Sequence, residues 1–154
     1  MTGDNEAEIT SLKTYRDLNF KIKDLGTTRY FLGMKILPTT NGLVLTQRKF
    51  AKELLAEFAD SEAVSVVCLL EYNHRLAADQ GDLFENPSLY RKIVGKLNFL
   101  ANTRPDLAFA VQYLSQFMQQ PRVPHFQAVQ HVLRYLKGQP DLGILLSKDS
   151  QYTL

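Results

Sequence analysis

The hydrophobic positions change period along the chain, and the changes mark its elements. From Glu6 to Phe20, Ile9, Leu12 and Leu18 recur with aromatic residues near a period of 3.6, which predicts a first helix ending before Lys21. Arg29 to Ile36 alternates instead, so a strand is expected there. Its one face would carry Tyr30, Leu32, Met34 and Ile36 and its other Arg29, Phe31, Gly33 and Lys35. Pro38-Thr-Thr-Asn-Gly then turns the chain, with Asn41 and Gly42 supplying the positive φ values that a tight hairpin wants. Leu43-Val-Leu-Thr returns as the second strand, and Thr46 is the expected N-cap of a helix through Phe50, Leu54 and Phe58.

Residues 60–86 show no period. They hold six carboxylates, Asp60, Glu62, Glu71, Asp79, Asp82 and Glu85, with Tyr72 and Leu76 as local apolar anchors, and so read as a connector. Three helices are expected beyond it. Asn86 caps and Pro87 opens the first, Pro105 opens a second through Met118, and Pro124 opens a third that Gly138 ends. Each proline stands where its missing N–H is harmless. Short links between helices of about four turns predict a compact bundle, and Leu142-Gly-Ile-Leu-Leu reads as a closing strand. The expected fold class is α+β: an N-terminal helix and β-hairpin half over 1–59, the connector over 60–86, and a three-helix bundle with a short closing strand over 87–154.

The helix from Tyr90 toward Pro105 has a glycine, Gly95, in its middle and basic side chains around it. A mid-helix glycine costs about 1 kcal/mol relative to alanine, so something must use the space. A neighbouring helix could pack on the missing side chain, the commoner reason for a small residue in such a place. A nucleic-acid backbone could instead lie across Arg91, Gly95, Asn98 and Asn102, which recur at helical spacing. The spacing leaves both open.

Charge sharpens the question. The chain of 154 residues has a net charge of only +2, but residues 86–138 carry 7 Lys+Arg against 1 Asp+Glu, whereas residues 1–85 carry 10 against 13. Such a block is either a solvated helical surface or a footprint for phosphates. The length suits one domain, and 45% hydrophobic with 22% charged residues is globular composition. No apolar run approaches the roughly 18 residues of a membrane span, and the N-terminus is polar and acidic, so a soluble intracellular protein is expected, in cytoplasm or nucleus alike. Cys68, the single cysteine, sits among Val66, Val67, Leu69 and Leu70 and is expected to be a buried small hydrophobe in a reducing compartment.

Candidate catalysis is thin. His125 and His131 are six apart on one helix and point to different faces, His74 lies on a loop, and no cysteine or carboxylate completes a metal-ligand set with them. There is no Gly-rich phosphate loop and no G-x-S-x-G, and Asp24-Leu-Gly-Thr reads as a turn. No catalytic residue, metal site or cofactor is expected.

Eight collinear segments then point to a family. Met1-Thr-Gly-Asp-Asn, Phe20-Lys-Ile-Lys-Asp-Leu-Gly, Tyr30-Phe-Leu-Gly-Met, Leu45-Thr-Gln-Arg-Lys-Phe, Tyr90-Arg-Lys-Ile-Val-Gly-Lys-Leu, Thr103-Arg-Pro-Asp-Leu-Ala, Ser115-Gln-Phe-Met and Val132-Leu-Arg-Tyr-Leu-Lys-Gly together resemble the Ty1/copia-type retrotransposon reverse transcriptase. By that resemblance the chain is the late palm, the thumb and the start of the connection. The Tyr-x-Asp-Asp catalytic hairpin would precede Met1, and residues 145–154 would lead toward ribonuclease H; neither is in this sequence. Phe31, Leu32, Gly33 and Met34 resemble the hairpin that grips the primer end. Arg91, Gly95, Asn98 and Phe99 resemble the thumb helix that tracks a duplex minor groove, although the related retroviral helix has Gln and Trp where Arg91 and Phe99 stand. Val64-Ser-Val-Val-Cys-Leu-Leu departs from the family's Pro-Val-Ser-Thr-Pro pattern.

The resemblance implies a non-catalytic protein that binds an RNA–DNA or DNA duplex through Leu32, Gly33, Met34, Arg91, Lys92, Gly95, Lys96, Asn98, Phe99 and Arg104, with the basic side chains on phosphates. A second expectation is a domesticated host protein that uses exposed palm surface to bind a protein partner or a second copy of itself. A third is an inactive fragment.

Overall fold

The computed structural model describes residues 5–21, 29–69 and 76–147. It is α+β, with helices and an antiparallel four-stranded sheet in the order β1-β2-β3-β4. Helix α1 (Glu6–Phe20) forms where expected. The Asn5 side chain accepts hydrogen bonds from the backbone N–H groups of Ala7 and Glu8, both at 3.2 Å, and Glu6 and Glu8 sit in the first turn, where the helix dipole favours acids. None of its residues is buried, and Leu18 and Phe20 lie open.

The alternating stretch after it is two strands rather than one. β1 (Tyr30–Phe31) pairs with β2 (Met34–Thr39) across a two-residue turn, Leu32-Gly33, at φ 48° and 78°. Positive φ at both central residues gives the twist that strands joined by two residues need. Leu32 therefore lies at a hairpin tip and not on a strand face with Tyr30 and Met34. The next turn also differs from expectation. Thr39 pairs with Gly42, so Thr40 and Asn41 form the loop, and of the three only Gly42 has positive φ. A Cβ on Gly42 would run into the Leu146 carbonyl oxygen, so its glycine serves close strand approach. β3 (Gly42–Thr46) is followed by α2 (Arg48–Phe58), and the Thr46 hydroxyl accepts from the Arg48 N–H at 3.2 Å, one residue earlier than a simple N-cap.

The helical core follows from side-chain stripes. In α3 (Pro87–Leu100), capped by Asn86 through the Leu89 N–H at 3.0 Å, Tyr90, Ile93, Val94, Leu97 and Leu100 line one buried face. They meet Leu107, Ala110, Val111 and Leu114 from the next segment and Val129, Val132, Leu133 and Leu136 of α5 (Val123–Gly138). Each large side chain so buried contributes roughly 1.5–3 kcal/mol. The middle helix is shorter than expected: residues 105–107 form a 3-10 turn, and α4 runs only Ala108–Ser115. The bundle also has a further member, because α2 packs Ala51 and Leu54 into the same core against α3 and α5. Finally β4 (Ile144–Ser147) pairs with β3, so the closing strand completes the sheet of the N-terminal hairpin.

The connector corrects another expectation. Cys68 is exposed, and its neighbour Val67 is 96% exposed. The described part of this apolar run, 64–69, forms no strand or helix; polar contacts from α5 to the backbone here and just before it hold it. Arg134 donates to the Val64 carbonyl at 3.0 Å, and Lys137 donates to the carbonyls of Ser61 and Ala63 at 2.7 and 2.9 Å. Tyr72, His74, the Asp24 turn and residues 148–154 lie outside the described residues.

Candidate nucleic-acid interface

The outer side of α3 answers the question posed by Gly95. Apart from its own helix, no described atom comes within 4 Å of where its Cβ would be, so no described helix packs there, and among the described residues the packing explanation fails. Its burial pattern explains why: the core stripe lies on the opposite side of α3, leaving Arg91, Gly95, Asn98 and Asn102 exposed. Asn102 turns its amide back onto the Phe99 carbonyl at 2.9 Å. Arg91 donates to the carbonyls of Met118 and Gln119 at 2.7 and 3.1 Å, which ties α3 to the chain leaving α4. Neutral carbonyls leave its positive charge in place.

Lys92 and Lys96 stand one turn apart, and both reach Glu57 of α2, at 2.6 and 2.5 Å. Their ammonium groups also lie 5.1 Å from the centre of the Phe58 ring. Hydrogen bonds from Lys92 and then Lys96 hold the Glu57 carboxyl below the usual carboxylate range. No sequence signal marks Glu57, because its pairing spans the packed α2–α3 contact and not a helical repeat.

Phe99 continues the Lys92–Lys96 stripe and is where the hairpin arrives. A Cβ on Gly33 would sit 3.3 Å from the Phe99 ring, which also meets Phe50 edge-on at 5.0 Å. The structure thus brings the Leu32–Gly33 turn and α3 together at Phe99. Leu32 is 71% exposed beside that contact, and Met34 is half-buried at the start of β2.

Arg104 is placed elsewhere. It is 2% exposed, paired with Asp106 at 2.7 Å, and donates to the Gln139 carbonyl at 2.6 Å. Burial works to raise the Asp106 pKa, but the Arg104 guanidinium outweighs it and the net shift is downward. A charge so enclosed is a structural pair and offers phosphate no access. Arg122 likewise donates to the carbonyls of Ala78 and Gly81 at 2.8 and 2.6 Å. Much of the basic block therefore holds backbone in place.

His125 is structural too. His125 is buried against Phe117, its Nδ1 accepts from the Arg122 N–H at 3.0 Å, and its Nε2 lies 3.0 Å from the Ala77 carbonyl. Among the described residues no three His, Cys, Asp or Glu side chains form a group able to hold a metal, and no helix is long and apolar enough to cross a membrane.

The chain is 36% identical over its full length to the retrovirus-related Pol polyprotein from transposon RE1 of Arabidopsis thaliana, and covers 10% of that protein. It is 40% identical over 88% of its length to the corresponding polyprotein from transposon RE2 of the same plant, and covers 9% of it. An uncharacterised mitochondrial protein of Arabidopsis thaliana is 34% identical over 98% of the chain, which spans 62% of that relative. The chain thus spans about a tenth of the two polyproteins. No protein-family model and no solved structure matches it.

Proposed function

We propose that this chain, whose homologues are the retrovirus-related Pol polyproteins of Ty1/copia-type transposons and which is itself transposon-derived, acts as a non-catalytic, thumb-like holder of a nucleic-acid duplex. The duplex lies across α3, with the Leu32–Gly33 turn at its edge. One observation carries this reading: Gly95 sits mid-helix on an exposed face with no described side chain or helix packed on it. A glycine that costs about 1 kcal/mol and meets no described neighbour is suited to a sugar–phosphate edge that a side chain would keep away. Arg91, Lys92 and Lys96 flank it with charge for phosphates, Asn98 offers a hydrogen-bonding edge, and Phe99 backs the turn through Gly33. Arg104 has no part in this face. Contacts of this kind bind duplex with little regard for sequence and weaken as salt rises.

Gly95→Leu tests the reading. The side chain enters open space and gains helix propensity, so the melting temperature should hold or rise, while affinity for an RNA–DNA hybrid should fall at least tenfold. Unchanged binding by a folded mutant would sink the proposal.

A second reading, self-association through the sheet, is favoured by the exposed Phe31, Leu43 and Leu146 on one of its faces and Tyr30, Leu37 and Leu145 on the other.

A further inference from the structure

We propose that Glu57 is a built-in competitor for the duplex, its carboxylate occupying the position over Lys92 and Lys96 that a backbone phosphate would take. This rests on the duplex-holding reading and names what regulates it. The two ammonium groups meet opposite oxygens of one carboxylate, Lys92 on Oε1 at 2.6 Å and Lys96 on Oε2 at 2.5 Å. Such an arrangement, two cations from successive turns of one helix converging on a single small anion, also suits a non-bridging pair of phosphate oxygens. The Phe58 ring lies 5.1 Å from both ammonium groups and so helps to fix where the two cations converge.

Glu57 itself comes from α2, which packs against α3 through Leu54 and Ala51, so the carboxylate is held near the lysines at high effective concentration. A phosphate must therefore displace a tethered rival before it gains either lysine. The displacement is feasible because the pairs are solvent-exposed, with side-chain exposures of 55% and 29% for the two lysines and 41% for Glu57, and exposed pairs are weak. Glu57 thereby lowers affinity without abolishing it, and removing its charge restores two cations to the face at once. A purely structural tie between α2 and α3 would behave differently, since its loss would lower stability and leave the salt dependence of binding alone.

The test measures binding of a labelled RNA–DNA hybrid across a series of potassium chloride concentrations, together with melting temperature, for the full chain, Glu57→Gln and Glu57→Ala. Both variants should bind about three- to tenfold tighter at low salt, with the slope of log K against log salt steeper by roughly one to two. The gain should vanish when Lys92→Met and Lys96→Met are added. Tight binding by the variants where the unaltered chain binds barely at all would support the proposal as well. Duplex binding by the unaltered chain with equal or weaker binding by both variants would overturn the competitor role and leave the holder reading standing. Absence of binding by all three would overturn both.

Discussion

Leu32 is set against preference in both backbone and side chain, at φ 48° and largely exposed. A left-handed conformation costs a non-glycine residue roughly 1–2 kcal/mol, and such strain persists where the surroundings impose it, often at sites of function. Glycine would relieve that cost and add back about 0.5–1 kcal/mol of backbone entropy. Leu32→Gly should therefore raise stability by up to about 1 kcal/mol, read as a higher urea midpoint with an unchanged slope, and a fall in midpoint would show that the leucine side chain supports the fold. The same residue shows why the sequence misleads here. Tyr30, Leu32, Met34 and Ile36 alternate as a strand does, and leucine gives no sign of positive φ, so only the neighbouring Gly33 hinted at the turn. Cys68 misled for the opposite reason. Its apolar neighbours suggested burial, whereas the segment is held by bonds from Arg134 and Lys137 to its carbonyls, and composition does not record those.

At the scale of elements, the start of α5 is joined to the connector through a histidine that must stay neutral. Burial pushes the His125 pKa down, although its hydrogen bond to the Ala77 carbonyl works the other way, and Arg122 nearby adds to the depression. In the unfolded chain His125 titrates near its ordinary value of about 6.5. The unfolded state therefore binds the proton more readily, so stability is complete above about pH 6.5 and falls as pH drops from there toward the lower folded pKa. Urea midpoints at pH 7 and pH 5 should show this decline, and replacement by the uncharged glutamine, His125→Gln, should flatten it while lowering stability at both. An equal decline in the mutant would assign the effect to other groups. The helix bounds were legible because they are written locally: Asn86 with Pro87, and Pro124 with Gly138, mark starts and stops within a few residues. The membership of α2 in the bundle and the reach of Glu57 to Lys92 and Lys96 were not legible, since both depend on which faces meet across 35 to 39 residues of chain.

The molecule as a whole carries a sheet with exposed apolar side chains on both faces, and β1 and β4 are its outer strands among the described residues. Outer strands and apolar faces invite pairing with another copy. Sedimentation at micromolar concentration should show a dimer or larger species, shifted toward monomer by Leu146→Lys; a strict monomer would count against self-association. The pairing of β3 with β4 reaches further. Leu45 is matched with Ile144, and the Thr46 hydroxyl contacts the Leu142 carbonyl oxygen across 96 residues. During synthesis the β2–β3 hairpin thus leaves the ribosome long before the strand that covers its edge, and waits unshielded while all the bundle helices are made. Late strand closure of this kind slows folding and lengthens exposure to aggregation. Slower translation over the last third of the chain should therefore lower the share of it that reaches the native state, read as the ratio of soluble to aggregated product.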